Sequence, residues 1–451
     1  MTGKRLSRLL LALGLLATPP LRAGATSDDE AVAALRVELA ALRSDTEARI
    51  AELTTRVEVA EARASAAESA PAEASSPAPA SSASAFNPAM SLILQGRAAA
   101  IDGQTGHRDI PGFLLGDEAG VGPDGLSISE TELDVSANAD DKFYGIATIA
   151  LNSENGHTNV DVEEAYLQTL ALPEGFTVKA GQFFSGIGYL NAKHSHAWDF
   201  IDQPLAYEAF LDNQFLDPGV QLSWVAPLDQ YVQLGAEVFN GDRFPAAGSA
   251  NSGFGAYSLF AKTSGEIGVS QSWQAGLSYL SADAQNRDSE LQDGSLYQFS
   301  GQSDLWIAEL VWKWAPEGNF RERNLVLQSE FLYRREHGGL DLSDTTGDSS
   351  GDYRGGQDGF YAQAVYQFMP RWRAGVRYDQ LWSDNLVRDL DPDVLDDGSD
   401  PTRLSAMLDF SNSEFSRFRL QWNHQWGGLD GNDAVFLQYI LSLGSHGAHA
   451  Y

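Results

Sequence analysis

The chain has 451 residues, with Lys+Arg 30 against Asp+Glu 62, and no cysteine. Lack of Cys excludes a disulfide scaffold, a thiol nucleophile and a Cys-ligated metal, and the acid excess argues against a nucleic-acid partner, because phosphate neutralisation needs Lys and Arg. The length admits one large domain or two medium ones; past the N-terminus no apolar run reaches the ~20 residues of a membrane helix, while plentiful Gly and aromatics suit many strands joined by turns.

Residues 1–25 read as a secretory signal. Lys4, Arg5 and Arg8 form a basic front, Leu9 to Ala17 a short apolar core, and Ala23-Gly24-Ala25 a small-residue cleavage site. The alternative is a retained N-terminal anchor, which that cleavage pattern disfavours. Residues 26–66 carry a helical stripe: Val32, Leu35, Leu39 and Leu42, then Ile50, Leu53, Val57 and Ala60. The step from Leu39 to Ile50 adds one stutter to a heptad. A stripe this narrow suits a coiled-coil seam between identical chains in the periplasm, against the alternative of a solitary amphipathic helix. Residues 67–85 (AESAPAEASSPAPASSASA) are an Ala/Pro/Ser linker.

From Phe86 the hydrophobic period changes to two, and residues 86–451 read as an all-β domain. About sixteen segments have the ~10-residue length of a membrane strand. They fall near 90–101, 126–137, 142–152, 160–170, 175–184, 218–227, 231–240, 254–264, 271–281, 304–313, 324–335, 358–368, 370–380, 402–410, 414–424 and 433–443. Odd connections are long (102–125, 185–217, 241–253, 282–303, 336–357, 381–401), and even ones are mostly tight, as at Asp140-Asp141 and Met369-Pro370. That parity predicts a transmembrane antiparallel β-barrel in a bacterial outer membrane. A soluble β-sandwich would not keep it.

Taking the apolar set as lipid-facing, alternation sends Glu130, Glu132, Asp134 and Glu164 into the bore. It also sends in Arg371, Arg373, Arg377 and Asp379 of the thirteenth strand, and Arg417 and Arg419 of the fifteenth. The stretch 185–217 is too long for an idle loop. It carries Asp199, Asp202, Glu208 and Asp212, with Lys193 as its one firm cation. Folded inward, it would set an acidic rim across a narrow opening from an arginine wall. The alternative is that the arginines pair with lumen acids and fill space.

FNPAMSLILQG at 86–96, the run 162–211 and the ending LQYILSLGSHGAHAY resemble a porin-like group of outer-membrane proteins. That group is related to the phosphate-selective porin O and P type, and its members are often labelled porins or zinc-regulated TonB-dependent receptors. The resemblance implies a sixteen-stranded homotrimer, in some members with an N-terminal coiled coil, and a third external loop folded into the lumen. Tyr451 stands where such chains usually end in Phe. Phosphate selectivity does not carry over, since the loop lacks dense Lys and Arg. The receptor label fails because a plug domain and a ~22-stranded barrel are missing.

His194 and His196 sit two apart, as metal ligands do on an extended segment, and His446 and His449 sit three apart. Neither pair shows a third ligand in sequence, and a zinc site needs three or four, so ordinary loop histidines are expected. Asp341, Asp344, Asp348 and Asp352, and the acids from Asp389 to Asp400, do not match a calcium loop and suit contact with lipopolysaccharide through divalent ions. No nucleophile motif points to an enzyme, and no cofactor is implied. The expectation is a trimeric passive channel for small hydrophilic solutes or ions, narrowed by Lys193, Asp199, Asp202, Glu208, Asp212, Arg373, Arg377, Arg417 and Arg419. The alternatives are a zinc- or metal-linked uptake channel and a tether between outer membrane and cell wall.

Overall fold

The computed structural model describes residues 88–102, 109–154, 157–246, 253–345, 347–390, 395, 398–429 and 433–444. The expected signal, coiled coil and linker, together with His446, His449, Tyr451, Asp391, Asp393, Asp396 and Asp397, lie outside them.

Sixteen antiparallel strands close into a barrel. The first half holds β1 (Ala89–Ile101), β2 in two pieces (Gly125–Ile128 and Thr131–Asn138), β3 (Phe143–Glu154), β4 (His157–Thr169), β5 (Phe176–Phe184), β6 (Leu216–Val225), β7 (Tyr231–Phe239) and β8 (Ala256–Ile267). The second holds β9 (Gln271–Glu290), β10 (Leu296–Trp314), β11 (Asn324–Asp344), β12 (Gly347–Met369), β13 (Trp372–Arg388), β14 (Thr402–Ser413), β15 (Ser416–Trp426) and β16 (Asp433–Gly444). Each strand pairs with its sequence neighbours, and β16 returns to β1 in register from Ser91 opposite Gly444 to Ile101 opposite Ala434. Closure leaves no edge with unpaired backbone, the condition for a sheet in lipid.

Alternation sets the two faces. Leu277, Val376, Leu420 and Leu437 point outward and are exposed, while Gln421, Arg377 and Asp379 are sealed inside. Outward aromatics ring the barrel at two heights. Phe176–Trp224, Trp372–Phe410 and Phe418–Tyr439 pair near the tight turns. Tyr257, Tyr279, Trp306 and Tyr333 form a cross-strand ladder from β8 to β11 near the other end. Such girdles mark the two membrane interfaces. The tight turns use local chemistry. Asp140 Oδ1 accepts the amides of Lys142 and Phe143 at 2.8 and 2.9 Å.

Two expected loops are corrected. Residues 282–303 and 336–357 continue the strands, and only short turns separate β9 from β10 and β11 from β12. Above the membrane both faces need not be apolar. Tyr297, Phe299, Leu340, Leu342 and Tyr353 point inward between exposed polar residues and pack with Leu114. Gly, Ser and Asp at the outward positions hid that alternation. Likewise β13 runs on to Arg388 through part of the expected loop 381–401.

Candidate functional site

The connection between β5 and β6, residues 185–215, folds into the bore. Its entry is fixed by two glutamates of the wall. Glu237 of β7 accepts the Gly186 amide at 2.9 Å and the Ser185 hydroxyl. Glu330 of β11 accepts the Tyr189 amide at 2.6 Å and the hydroxyls of Tyr207 and Tyr361. Gly188 has φ +61, and a Cβ there would overlap the Tyr207 hydroxyl, so this bend admits only glycine. Asn191 clasps the loop: its amide donates to the carbonyls of Ser185 and Phe215 at 2.9 and 2.8 Å, and its oxygen accepts the Phe215 amide at 2.7 Å.

Helix α1 (Leu205–Leu211) follows Pro204, and every one of its side chains is buried. A helix start leaves orphan amides. Here the barrel supplies the cap, as Asp379 of β13 accepts the Leu205 amide at 3.1 Å. The C-terminal end is served from β11, where Arg334 donates to the Ala209 carbonyl at 3.2 Å and lies 5.0 Å over Phe210. The connection between β1 and β2 tucks in as well: Phe113 meets Phe210 edge-on at 5.5 Å, and the Gly112 carbonyl accepts from Gln357 and Asn385. Part of the bore at this level is therefore occupied by an apolar core shared between two loops and the wall.

Acids and arginines meet in contact rather than across an opening. Asp199 lies 2.9 Å from Arg373, which also pairs with Asp409 of β14. Asp202 lies 2.8 Å from Arg377 and 3.2 Å from Arg403, and accepts from Gln421 and Asn423 at 2.6 and 2.7 Å. Glu208 lies 2.7 Å from Arg403. Arg417 and Arg419 donate to the His196 and Trp198 carbonyls. The cause is desolvation: a charge sealed from water is tolerated only when paired and hydrogen-bonded.

Asp212 and Lys193 stand apart from this network. Asp212 has φ +51 and accepts the Glu118 amide at 3.0 Å. Burial and the nearby Glu118 carboxylate push its carboxyl up to about 7. Lys193 lies 3.7 Å over the Tyr189 ring.

The histidine side chains face β2 and β4. His194 Nδ1 is 3.3 Å from Glu132 and 3.2 Å from Glu163, and its Nε2 is 3.1 Å from Glu164. His196 Nδ1 is 2.8 Å from Glu132. Glu132, Glu163 and His194 each offer one donor atom within 4.8 Å of the others, the geometry in which a metal ion could be held.

Below the loop, toward the tight turns, opens a cavity of 1060 Å³. Lys193, Lys262, Lys313, Arg321, Arg371 and Arg417 line it, against Glu414 as the one carboxylate among its described lining residues.

The sequence reading omitted Arg403, Asp409, Glu330 and Glu163. Arg403 and Asp409 were accessible to it, since Leu404 and Leu408 point outward on β14 and force the odd positions inward. Glu163 was not. Thr148 of β3 faces Glu164 and Ile149 faces Val162, so Glu163 is the extra residue of a bulge. A bulge breaks the period of two and turns two successive glutamates into the bore.

No family model matches the chain. A protein of Aquifex aeolicus (strain VF5), described as uncharacterized, is 35% identical over 352 residues, 72% of this chain and 70% of that one. Three solved structures share the fold at TM-score 0.50. They are OprB of Pseudomonas putida, 14% identical over 79% of this chain and 94% of that one; the outer-membrane channel DcaP of Acinetobacter baumannii, 12% over 79% and 97%; and a loop-deletion mutant of OmpT, an outer-membrane protein of Vibrio cholerae, 10% over 79% and 99%. At these identities the likeness concerns the fold, a sixteen-stranded outer-membrane barrel of porin type.

Proposed function

The chain belongs to one family with the Aquifex aeolicus protein, and from the barrel just described we propose that it is a passive diffusion channel for small hydrophilic solutes or ions. The observation that carries the reading is the seating of 185–215 inside the bore. A loop that spends acids on Arg373, Arg377 and Arg403 is held at a fixed height and narrows the passage to what Lys193, Asp199, Arg417 and their neighbours leave open.

Solutes that pass this level enter the basic cavity on the turn side. Charge lining a cleft concentrates counter-ions there, so six cations against one carboxylate favour anions over cations in the last stretch. The channel assembles as a homotrimer, in keeping with the resemblance and the heptad stripe of 26–66. No step of the account needs a nucleophile or a cofactor.

Liposome swelling with neutral sugars of rising size tests solute passage. The proposal requires swelling rates that fall with sugar size. Liposomes that do not swell with the smallest sugar would contradict it.

A further inference from the structure

We propose that Glu132, Glu163 and His194 form a binding site for a divalent transition-metal ion, of which Zn²⁺ is the type, where the loop meets β2 and β4. The inference is independent of the diffusion reading.

The donor set fits. Tetrahedral zinc with ligands near 2.1 Å places its donors about 3.4 Å apart. His194 Nδ1 stands 3.3 Å from Glu132 Oε2 and 3.2 Å from Glu163 Oε2. Nitrogen and carboxylate oxygen together suit first-row transition ions better than Ca²⁺ or Mg²⁺, which prefer all-oxygen sets.

The surroundings fit as well. Metal-bound histidines usually give their second ring nitrogen to a carboxylate, which fixes the ring and strengthens the donor. His194 Nε2 lies 3.1 Å from Glu164 Oε2. His196 plays the matching part for Glu132, with Nδ1 2.8 Å from Oε1, and the two imidazoles stack at 5.7 Å between centroids. These are positioning residues.

A separate observation points to a missing partner. Glu132 is fully buried, and its Oε2 accepts no hydrogen bond although it is aimed at His194. A buried carboxylate oxygen without a donor is costly. The bulge also brings buried Glu163 and Glu164 against buried Glu132, where the carboxylates repel one another, and a divalent cation between Glu132 and Glu163 offsets both costs.

Access comes from the basic cavity, whose lining includes His194 and His196. A three-ligand set leaves a fourth position for water on that side. The ion would then fasten the loop to β2 and β4, in addition to its arginine anchors.

The test is Zn²⁺ titration of the full-length barrel in detergent by calorimetry, with folding checked by gel mobility. One ion per chain is expected, at about micromolar affinity or tighter. Glu163→Gln and His194→Ala should each weaken binding at least tenfold, and Glu164→Gln by about tenfold. His424→Ala, an exposed histidine on β15, should change nothing. No binding by the wild type at about 100 µM Zn²⁺, or binding that folded Glu163 and His194 variants retain, overturns the site. If those variants do not fold, X-ray absorption on the zinc-loaded wild type decides: mixed nitrogen and oxygen ligation with imidazole supports it, and oxygen-only ligation overturns it.

Discussion

Arg377 Nη2 stands 2.8 Å from Asp202 Oδ1, with both side chains sealed from solvent. Arg377 also donates to the Asp202 carbonyl at 2.8 Å and lies 4.7 Å over Phe200. One loop residue is thus held through side chain and backbone together. Removing one partner of a buried ion pair costs about 3–5 kcal/mol, because the other charge stays buried. Asp202→Ala leaves Arg377 and Arg403 short of their shared carboxylate. We predict a loop that is cut faster by protease within 199–211 and a larger, noisier unit conductance. A variant as resistant and as narrow as the wild type would show that other contacts seat the loop.

Arg373 and Arg417 are arginines of the wall beside the loop that remain partly open to the bore. Arg373→Ala and Arg417→Ala each remove a cation from near the passage, so the reversal potential in a salt gradient should move toward cation preference. The shift should shrink at high salt, where the Debye length falls to about 3 Å. A move toward anions contradicts the charge assignment.

Asp212 ties the loop to Glu118 of the connection above it, and the pH dependence of this contact has a definite sign. Burial, then Glu118, raises the Asp212 carboxyl to about 7 from an ordinary 3.8; burial raises Glu118 too, with Arg243 opposing. Between those values the folded state holds more protons than the unfolded chain. The stability from this contact is therefore fully present below 3.8 and is lost as pH rises through about 7. Hydrogen exchange at Glu118 and Asn213, corrected for intrinsic rates, should show protection that declines across that window. Asp212→Asn should flatten the profile.

Deletion of 26–85 separates channel from tether. The channel account predicts that unit conductance survives, since the barrel from β1 to β16 closes on itself without those residues. The tether account predicts an outer membrane that detaches from the cell wall.

The barrel was legible because strand alternation and loop parity are local signals. Leu404 and Leu408, or Phe418 and Leu420, declare the lipid face by themselves. The inward docking of Asp202 was half legible: its charge could be read, but not that Arg377 and Arg403 would close on it, because pairing across 175 and 201 residues leaves no local trace. Three features resisted for physical reasons. The upper halves of β9 to β12 are strands whose outer face meets water, so polar residues there imitate loops. The bulge at Glu163 breaks the period on which the inward assignment rests. The carboxylates beside His194 come from strands 30 or more residues away in sequence, so the histidines look unaccompanied.

The central claim is an open passage narrowed by the docked loop, and single-channel recording of the purified protein in planar bilayers tests it most directly. The account predicts stepwise openings of uniform size that grow when Asp202 is replaced by Ala. No stepwise conductance at any voltage, from protein shown to be folded, would contradict it.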